Sequence, residues 1–269
     1  MLGAEESRRE KYSRENKNEL IVILTPLGCG EDFYKSIYEW IGNEYFIIIV
    51  NCDLIMDYPI SYANICDRAS SIINSGFATA SQTDATFVDK TIAAVIGFCS
   101  SAIPAMIIAR HLNKNCNRLI LINGAYFPED NNLDRTQYER DVGKMISHLN
   151  TDGFRAFFDL VHSLYSMKVG IDKESTPVTK AFSSFESFDR YLNSIKFLSM
   201  CNTEEIAANI EAYTHILIGG NDQIVNPSAA MRLSENFINS QKFIDPIGNH
   251  YDWLGDGIMR SEIERILRN

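Results

Sequence analysis

Residues 97–101, with the sequence GFCSS, place a cysteine where the chain is expected to turn sharply. Residues 92–96 before it form an unbroken apolar run, which is typical of a strand buried on both faces, and a helical pattern follows it. We predict a strand, a turn and a helix, with Cys99 at the apex of the turn and its thiol available as a nucleophile. Taken alone, the stretch is more often explained by packing, because free cysteine behaves as a small buried hydrophobe.

An acid and a histidine follow later in the chain, each just after a predicted strand. Residues 219–227, GGNDQIVNP, put Asp222 at the carboxyl end of an apolar strand, where open α/β sheets keep their sites. A turn residue or the acid at a helix start explains Asp222 equally well, because Pro227 is suited to a first helical turn. His250, in the stretch IGNHY, comes just past a strand end. Such a histidine is more often an ordinary loop residue.

The turn after the first predicted strand has the sequence TPLGCG at residues 25–30. Its glycines permit backbone N–H groups to point into a site, as the binding of an oxyanion requires. A simple tight connection between a strand and a helix explains the same residues about equally well.

Six apolar runs, separated by helical patterns, predict the strands that would position these residues: 20–24, 45–50, 92–96, 118–122, 215–218 and 242–244. This alternation predicts an α/β fold, with a mostly parallel central sheet flanked by helices. Residues 128–209 are helical only and rich in Phe, and we predict that they form a helical lid. The core would then comprise residues 1–127, of which 1–18 are a loose lead-in, and residues 210–269.

Composition narrows the classes of partner and compartment. A net charge of −10 argues against nucleic acid and against docking on anionic membranes. The six cysteines show no C-x-x-C spacing, which favours free thiols in a reducing compartment. The charged N-terminus is unlike a signal peptide, and no apolar run reaches membrane-spanning length. We therefore expect a cytoplasmic protein.

The order of nucleophile, acid and histidine, with a helical insertion before the acid, resembles the α/β-hydrolase superfamily over roughly residues 20–265. Within it, the chain looks most like Cys-nucleophile thioesterases and aminoacyltransferases of nonribosomal-peptide and polyketide assembly lines. Two positions depart from the family pattern: Ser101 replaces the second Gly of G-x-S-x-G, and Pro104 falls early in the helix. We expect a slightly wider approach of strand and helix at Ser101. At Pro104 we expect the loss of one amide donor and a kink in the helix.

The resemblance implies a catalytic triad. His250 would take the thiol proton of Cys99, and Asp222 would hold the imidazole and stabilise its positive charge. The N–H of Ser100, with that of Leu27 or Gly28, would form the oxyanion hole. Three further acids compete with Asp222 but rank below it on sequence context: Asp53, Glu129 and Asp245.

A cysteine in place of serine predicts that an acyl group is passed on. A cysteine thioester keeps the acyl group near the energy of an incoming thioester, so exchange between thiols is nearly balanced. We expect the substrate to be carried on the phosphopantetheine of an acyl- or aminoacyl-carrier protein or of CoA, with no metal or organic cofactor. Two alternatives stay open: a Cys-dependent ester or lactone hydrolase, and a catalytically silent binding protein.

Overall fold

A computed structural model describes residues 19–29, 41, 44–81, 91–127, 135–169 and 179–268. Its centre is a sheet of six strands in the order β2-β1-β3-β4-β5-β6, and all neighbouring strands pair in parallel. The parallel α/β sheet expected from the sequence is therefore confirmed. The strands are β1 Leu20–Thr25, β2 Phe46–Asn51, β3 Ile92–Phe98, β4 Cys116–Ile122, β5 Tyr213–Gly219 and β6 Ser240–Asp245.

Helices lie between the strands and follow the last one. Their bounds are α1 Cys52–Ile55, α2 Tyr62–Ser81, α3 Ala102–Leu112, α4 Gln137–Ser147, α5 Phe154–Val169, α6 Phe185–Ser199, α7 Thr203–Ala208, α8 Pro227–Leu233 and α9 Ile258–Arg268. None of these helices is both long and apolar enough to span a membrane. The predicted lead-in at residues 1–18 and most of the helix predicted after β1 lie outside the described residues.

The central strands are apolar on both faces because each face packs against a separate layer. Leu20, Val22 and Leu24 of β1 join the cluster formed with α2, α3 and the helices before β5. Ile21 and Ile23 point to the opposite face and pack against α9. Alternate residues of β1 thus pack into two different cores. This explains why the β1 sequence is apolar throughout and does not alternate between apolar and polar residues.

Helices α4 to α7 connect β4 to β5, in the segment that the sequence predicts to be helical. Their Phe residues contact one another: the ring of Phe188 lies 5.8 Å from that of Phe154 and 5.4 Å from that of Phe158. The aromatic side chains of this insertion therefore form part of one continuous core on that face of the sheet. Its role as a lid stays a prediction.

Gly97, near the end of β3, lies where the sheet and α3 approach each other closely. A Cβ at this position would lie 2.6 Å from the Cβ of Ala105 and 2.8 Å from the carbonyl oxygen of Ser101. Both neighbours are fixed parts of the turn and the helix, so neither can yield without a backbone shift.

We expect Gly97→Ala to lower the free energy of unfolding by about 1–3 kcal/mol, because overpacking displaces the helix from the strand. Urea unfolding monitored by circular dichroism measures the change. Gly255→Ala is the matched control, since Gly255 is exposed and extended and a Cβ there meets its nearest neighbour only at 3.7 Å, so its effect should stay within about 0.5 kcal/mol. Equal stability of the two variants would contradict the close approach.

Candidate active site

Cys99 lies at a sharp turn between β3 and α3, where the sequence predicts it. Its backbone φ is 52°, a left-handed conformation that is uncommon for residues other than glycine. A single 3₁₀ turn, Cys99–Ser101, leads directly into α3. Strained backbone of this kind persists where the surrounding structure holds it, and it is concentrated at functional sites.

Hydrogen bonds hold this turn on both sides. The buried Ser101 hydroxyl accepts from the N–H of Phe98 at 2.8 Å and lies 3.0 Å from the carbonyl oxygen of Leu24, to which it can donate. The N–H of Ala125, after β4, donates to the carbonyl oxygen of Cys99 at 3.0 Å. Ser101 thus ties the turn to β1, and helix α3 continues past Pro104 to Leu112.

Asp222 and His250 form a buried pair. His250 Nδ1 lies 2.6 Å from Asp222 Oδ2, and the two side chains are 3% and 1% exposed, in the order histidine and aspartate. The other carboxylate oxygen, Oδ1, accepts the N–H groups of Ile224 at 2.8 Å and Val225 at 3.0 Å. The carboxylate is therefore fixed by its own loop, and Nδ1 carries the proton that it donates to Asp222.

Two features bring the Asp222 and His250 loops together. A Cβ at Gly219 would lie 2.7 Å from the carbonyl oxygen of Gly248, so the end of β5 needs a glycine to reach the histidine loop. Asn123, at the end of β4, accepts from the N–H of Gly219 at 2.7 Å and donates to the carbonyl oxygen of His250 at 2.9 Å. One amide side chain thus connects the three strand ends.

The electrostatic setting of His250 favours its protonated form. Burial lowers its pKa, but the charge of Cys99, the hydrogen bond from Nδ1 to Asp222 and a further contact with Cys99 together raise the pKa to about 9. Nε2 is buried and has no hydrogen-bond partner among the described oxygen and nitrogen groups. The ring is held by Phe98 and Tyr251, whose ring centroids lie 4.7 and 4.8 Å away.

The two amides of the turn after β1 that are expected in the oxyanion hole have partners in this structure. The N–H of Leu27 donates to the Ser100 hydroxyl at 3.0 Å, and the N–H of Gly28 donates to Asp53 at 2.9 Å. The N–H of Gly28 is therefore already bound to a carboxylate of the protein itself. The N–H of Leu27 is bound only to a serine hydroxyl, which can move away by rotation about the Cα–Cβ bond.

Cys99 and His250 line one cavity of about 320 Å³, at the small end of the range for ligand pockets. Its walls come from the turn after β1, the Cys99 turn, the insertion and the loops after β5 and β6. A second cavity of about 570 Å³ lies between α2, α3 and α7, and contains none of the three predicted catalytic residues. Within the described ranges, no group of three or more His, Cys, Asp and Glu could hold a metal ion.

The competing acids take other places. Asp53 accepts from Gly28, and Asp245 accepts the N–H of Ile247 at 3.3 Å, within its own turn. Glu129 lies outside the described residues. Of the described acids, Asp222 is the one that contacts His250.

Sequence reasoning missed two polar residues of this region. Asn123 follows a strand and has φ of 42°, a conformation that asparagine tolerates, but nothing local indicates its distant partners. Glu139 lines the cavity from α4. The pattern T-x-x-E at residues 136–139 signals a helix start, yet it does not show that this start faces Cys99.

One known protein is similar to the chain in sequence over most of its length. The chain is 24% identical over 243 residues, 89% of its length and 83% of the relative's, to an L-allo-isoleucyltransferase of Pseudomonas savastanoi pv. glycinea. No protein-family model matches it.

Solved structures cover most of the chain at low identity. MenH from S. aureus matches with a TM-score of 0.64 at 16% identity, covering 94% of both chains. A hydrolase from Oleispira antarctica matches with a TM-score of 0.62 at 13% identity, covering 93% of this chain and 92% of the other. The chain therefore has the α/β-hydrolase fold.

We expect Cys99→Ala to lower the pKa of His250 well below about 9, because it removes the largest of the charges that oppose burial. Titration of the imidazole Hε1 resonance by NMR measures the value. Cys116→Ala, at the opposite end of the sheet, is the control and should leave it unchanged. An unaltered His250 pKa in Cys99→Ala would contradict a charged contact between the two side chains.

Proposed function

We propose that this protein is an enzyme of the α/β-hydrolase superfamily that transfers an acyl or aminoacyl group through an acyl-S-Cys99 intermediate. The observation that carries the proposal is the strained Cys99 turn opening into the same cavity as His250, which is paired with buried Asp222. A nucleophile, a base and a group that orients the base are the parts needed for acyl transfer.

In the first half-reaction, the Cys99 thiolate attacks the carbonyl carbon of a thioester, and the carbonyl electrons move to its oxygen. The resulting oxyanion is bound by the N–H of Ser100 and by that of Leu27, once the Ser100 hydroxyl has rotated away. Gly28, the other candidate, keeps its bond to Asp53. The intermediate then expels the donor thiolate, which takes the proton of the His250 imidazolium, and Cys99 remains acylated.

In the second half-reaction, neutral His250 removes a proton from the acceptor. The acceptor attacks the acyl carbon, and the Cys99 thiolate leaves to restore the pair with imidazolium. Asp222 holds the ring in the required tautomer throughout. The acceptor is a thiol, an amine or water. In each case His250 takes one proton from the acceptor, and the electron pair of the broken C–S bond goes to Cys99.

The chemistry of sulfur favours a thiol acceptor. The acyl group on Cys99 is still a thioester, so its transfer to another thiol is nearly balanced in free energy, whereas transfer to a thiol from a serine oxyester would be uphill. The name of the relative, an L-allo-isoleucyltransferase, supports transfer of an aminoacyl group over hydrolysis. We propose as donor and acceptor the phosphopantetheine thiols of carrier proteins or CoA in natural-product synthesis, with the insertion as a lid over the cavity.

Hydrolysis is the second candidate, because several similar folds belong to proteins described as esterases or hydrolases. Examples are an esterase from Exiguobacterium antarcticum, with a TM-score of 0.60, and an enol-lactonase from Burkholderia xenovorans, with a TM-score of 0.59. Here water would replace the acceptor thiol in the second half-reaction, and the same acyl-Cys99 intermediate would form.

We expect incubation with aminoacyl-pantetheine thioesters to add the mass of the acyl group to Cys99, as measured by intact-protein mass spectrometry and peptide mapping. Cys99→Ala should show no adduct, and its kcat should fall on the order of 10⁴–10⁶-fold, as when other enzymes lose their nucleophile. Full activity in Cys99→Ala, or no adduct with any acyl or aminoacyl thioester, would overturn the proposed function.

Cys99→Ser separates transfer from hydrolysis. The oxyester that this variant forms lies below a thioester in free energy, so we expect the ratio of transfer to hydrolysis to fall. The ratio is measured by following acyl-pantetheine and free acid together by chromatography. If the variant keeps the wild-type ratio, the energetic reason for a cysteine is wrong.

Iodoacetamide tests a catalytically silent fold. Burial is the main factor that raises the pKa of Cys66 to about 11, and burial raises the pKa of Cys116 to about 12, so both should stay largely unmodified at pH 7. We expect Cys99 to react much faster than either, because it is only partly buried and opens into the cavity that His250 also lines. Equal reactivity of the three cysteines, quantified by peptide mapping, would favour a binding protein.

A further inference from the structure

Glu139 places a carboxylate in the wall of the Cys99 cavity. It lies in the first turn of α4, is only 7% exposed, and lines the same 320 Å³ space as Cys99 and His250. The catalytic steps proposed above do not use it. A buried carboxylate in a cavity is costly unless it is hydrogen-bonded or paired with a cation.

Hydrogen bonds hold Glu139 in place without neutralising it. Its Oε2 accepts the N–H of Thr136 at 2.7 Å, and its Oε1 accepts the N–H of Asn226 at 3.3 Å. Each carboxylate oxygen can accept a second donor. No Lys, Arg or His side chain of the described residues forms an ion pair with it.

Burial dominates the pKa of Glu139. Burial raises the pKa of Glu139 more than the two amide hydrogen bonds and the charge of Arg135 lower it. A cation bound in the cavity would reverse this balance, because an opposite charge close to a carboxylate favours its ionised form.

The remaining walls of the cavity are mostly aliphatic and aromatic. Leu27, Val142, Ile195, Ile224 and Val225 line it together with aromatic side chains. A ligand that fits therefore carries an apolar group, one positive charge, and an electrophilic carbon within reach of Cys99. The volume suits a group the size of an amino acid.

We propose that Glu139 binds the protonated α-amino group of an aminoacyl thioester, while the aliphatic walls hold its side chain. This inference rests on the acyl-transfer function and assigns the site to aminoacyl rather than simple acyl groups. The α-amino group of a peptide has a pKa of about 7.7–8.0, so it is mostly cationic at neutral pH. A site that binds a buried polar group rejects analogues that lack it, because its own polar atoms are then left unpaired.

The test compares L-isoleucyl-pantetheine with 3-methylpentanoyl-pantetheine, which lacks only the amino group. The readout is the rate at which each thioester acylates Cys99, followed by intact-protein mass spectrometry. We expect the wild type to prefer the aminoacyl thioester by at least about tenfold. Glu139→Gln keeps the shape and an acceptor oxygen but removes the charge, so the preference should largely disappear through a slower reaction with the aminoacyl thioester.

Thr136→Val is the matched control for the structural role of this helix start. The Thr136 hydroxyl accepts the N–H of Glu139 at 3.1 Å and donates to the carbonyl oxygen of Ile224 at 2.6 Å. Its loss should lower the melting temperature but leave the preference between the two thioesters intact. When both variants are measured at the same folded fraction, Glu139→Gln should still show a lower preference for the aminoacyl thioester than Thr136→Val.

Two results would overturn the inference while leaving acyl transfer standing. One is a wild type that acylates equally fast from both thioesters. The other is a Glu139→Gln variant that slows both reactions by the same factor, as a purely structural residue would. If neither these nor other acyl thioesters acylate the wild type, the proposed function itself fails, and the inference fails with it.

Discussion

The left-handed backbone of Cys99 is the constraint on which the rest of the site depends. Such a conformation costs on the order of 1–3 kcal/mol, and it persists only where neighbouring contacts over-determine it. Gly97 lets α3 press against the strand, Ser101 ties the turn to β1, and Ala125 binds the carbonyl oxygen of Cys99. The parallel sheet therefore stabilises a turn that no local preference would form.

Much of the fold could be predicted because its signal is local. Buried parallel strands are continuous apolar runs, and their order along the chain with helices between them implies one sheet. The positions of Cys99, Asp222 and His250 could also be predicted, since each follows a strand and parallel strands end at the same edge. The 2.6 Å contact between Asp222 and His250 agrees with that placement.

The polar groups that join separate loops could not be predicted in the same way. Asn123 binds partners 96 and 127 residues away, and Ser100 accepts from an amide 73 residues away. A short polar residue after a strand has many possible partners, and its sequence neighbours do not choose among them. The capping pattern that contains Glu139 predicts a helix start, whereas its position over the cavity depends on how the whole insertion packs.

The contacts between the insertion and the Asp222 loop use side chains on one partner and backbone on the other. The Thr136 hydroxyl donates to the carbonyl oxygen of Ile224, and the Glu139 carboxylate accepts the N–H of Asn226. These contacts therefore do not depend on the side chains of residues 224–226. Ile224 and Val225 can therefore diverge under selection and resize the cavity without loosening this joint. The contacts that fix this loop against the insertion are thus separate from the side chains that set the size of the cavity.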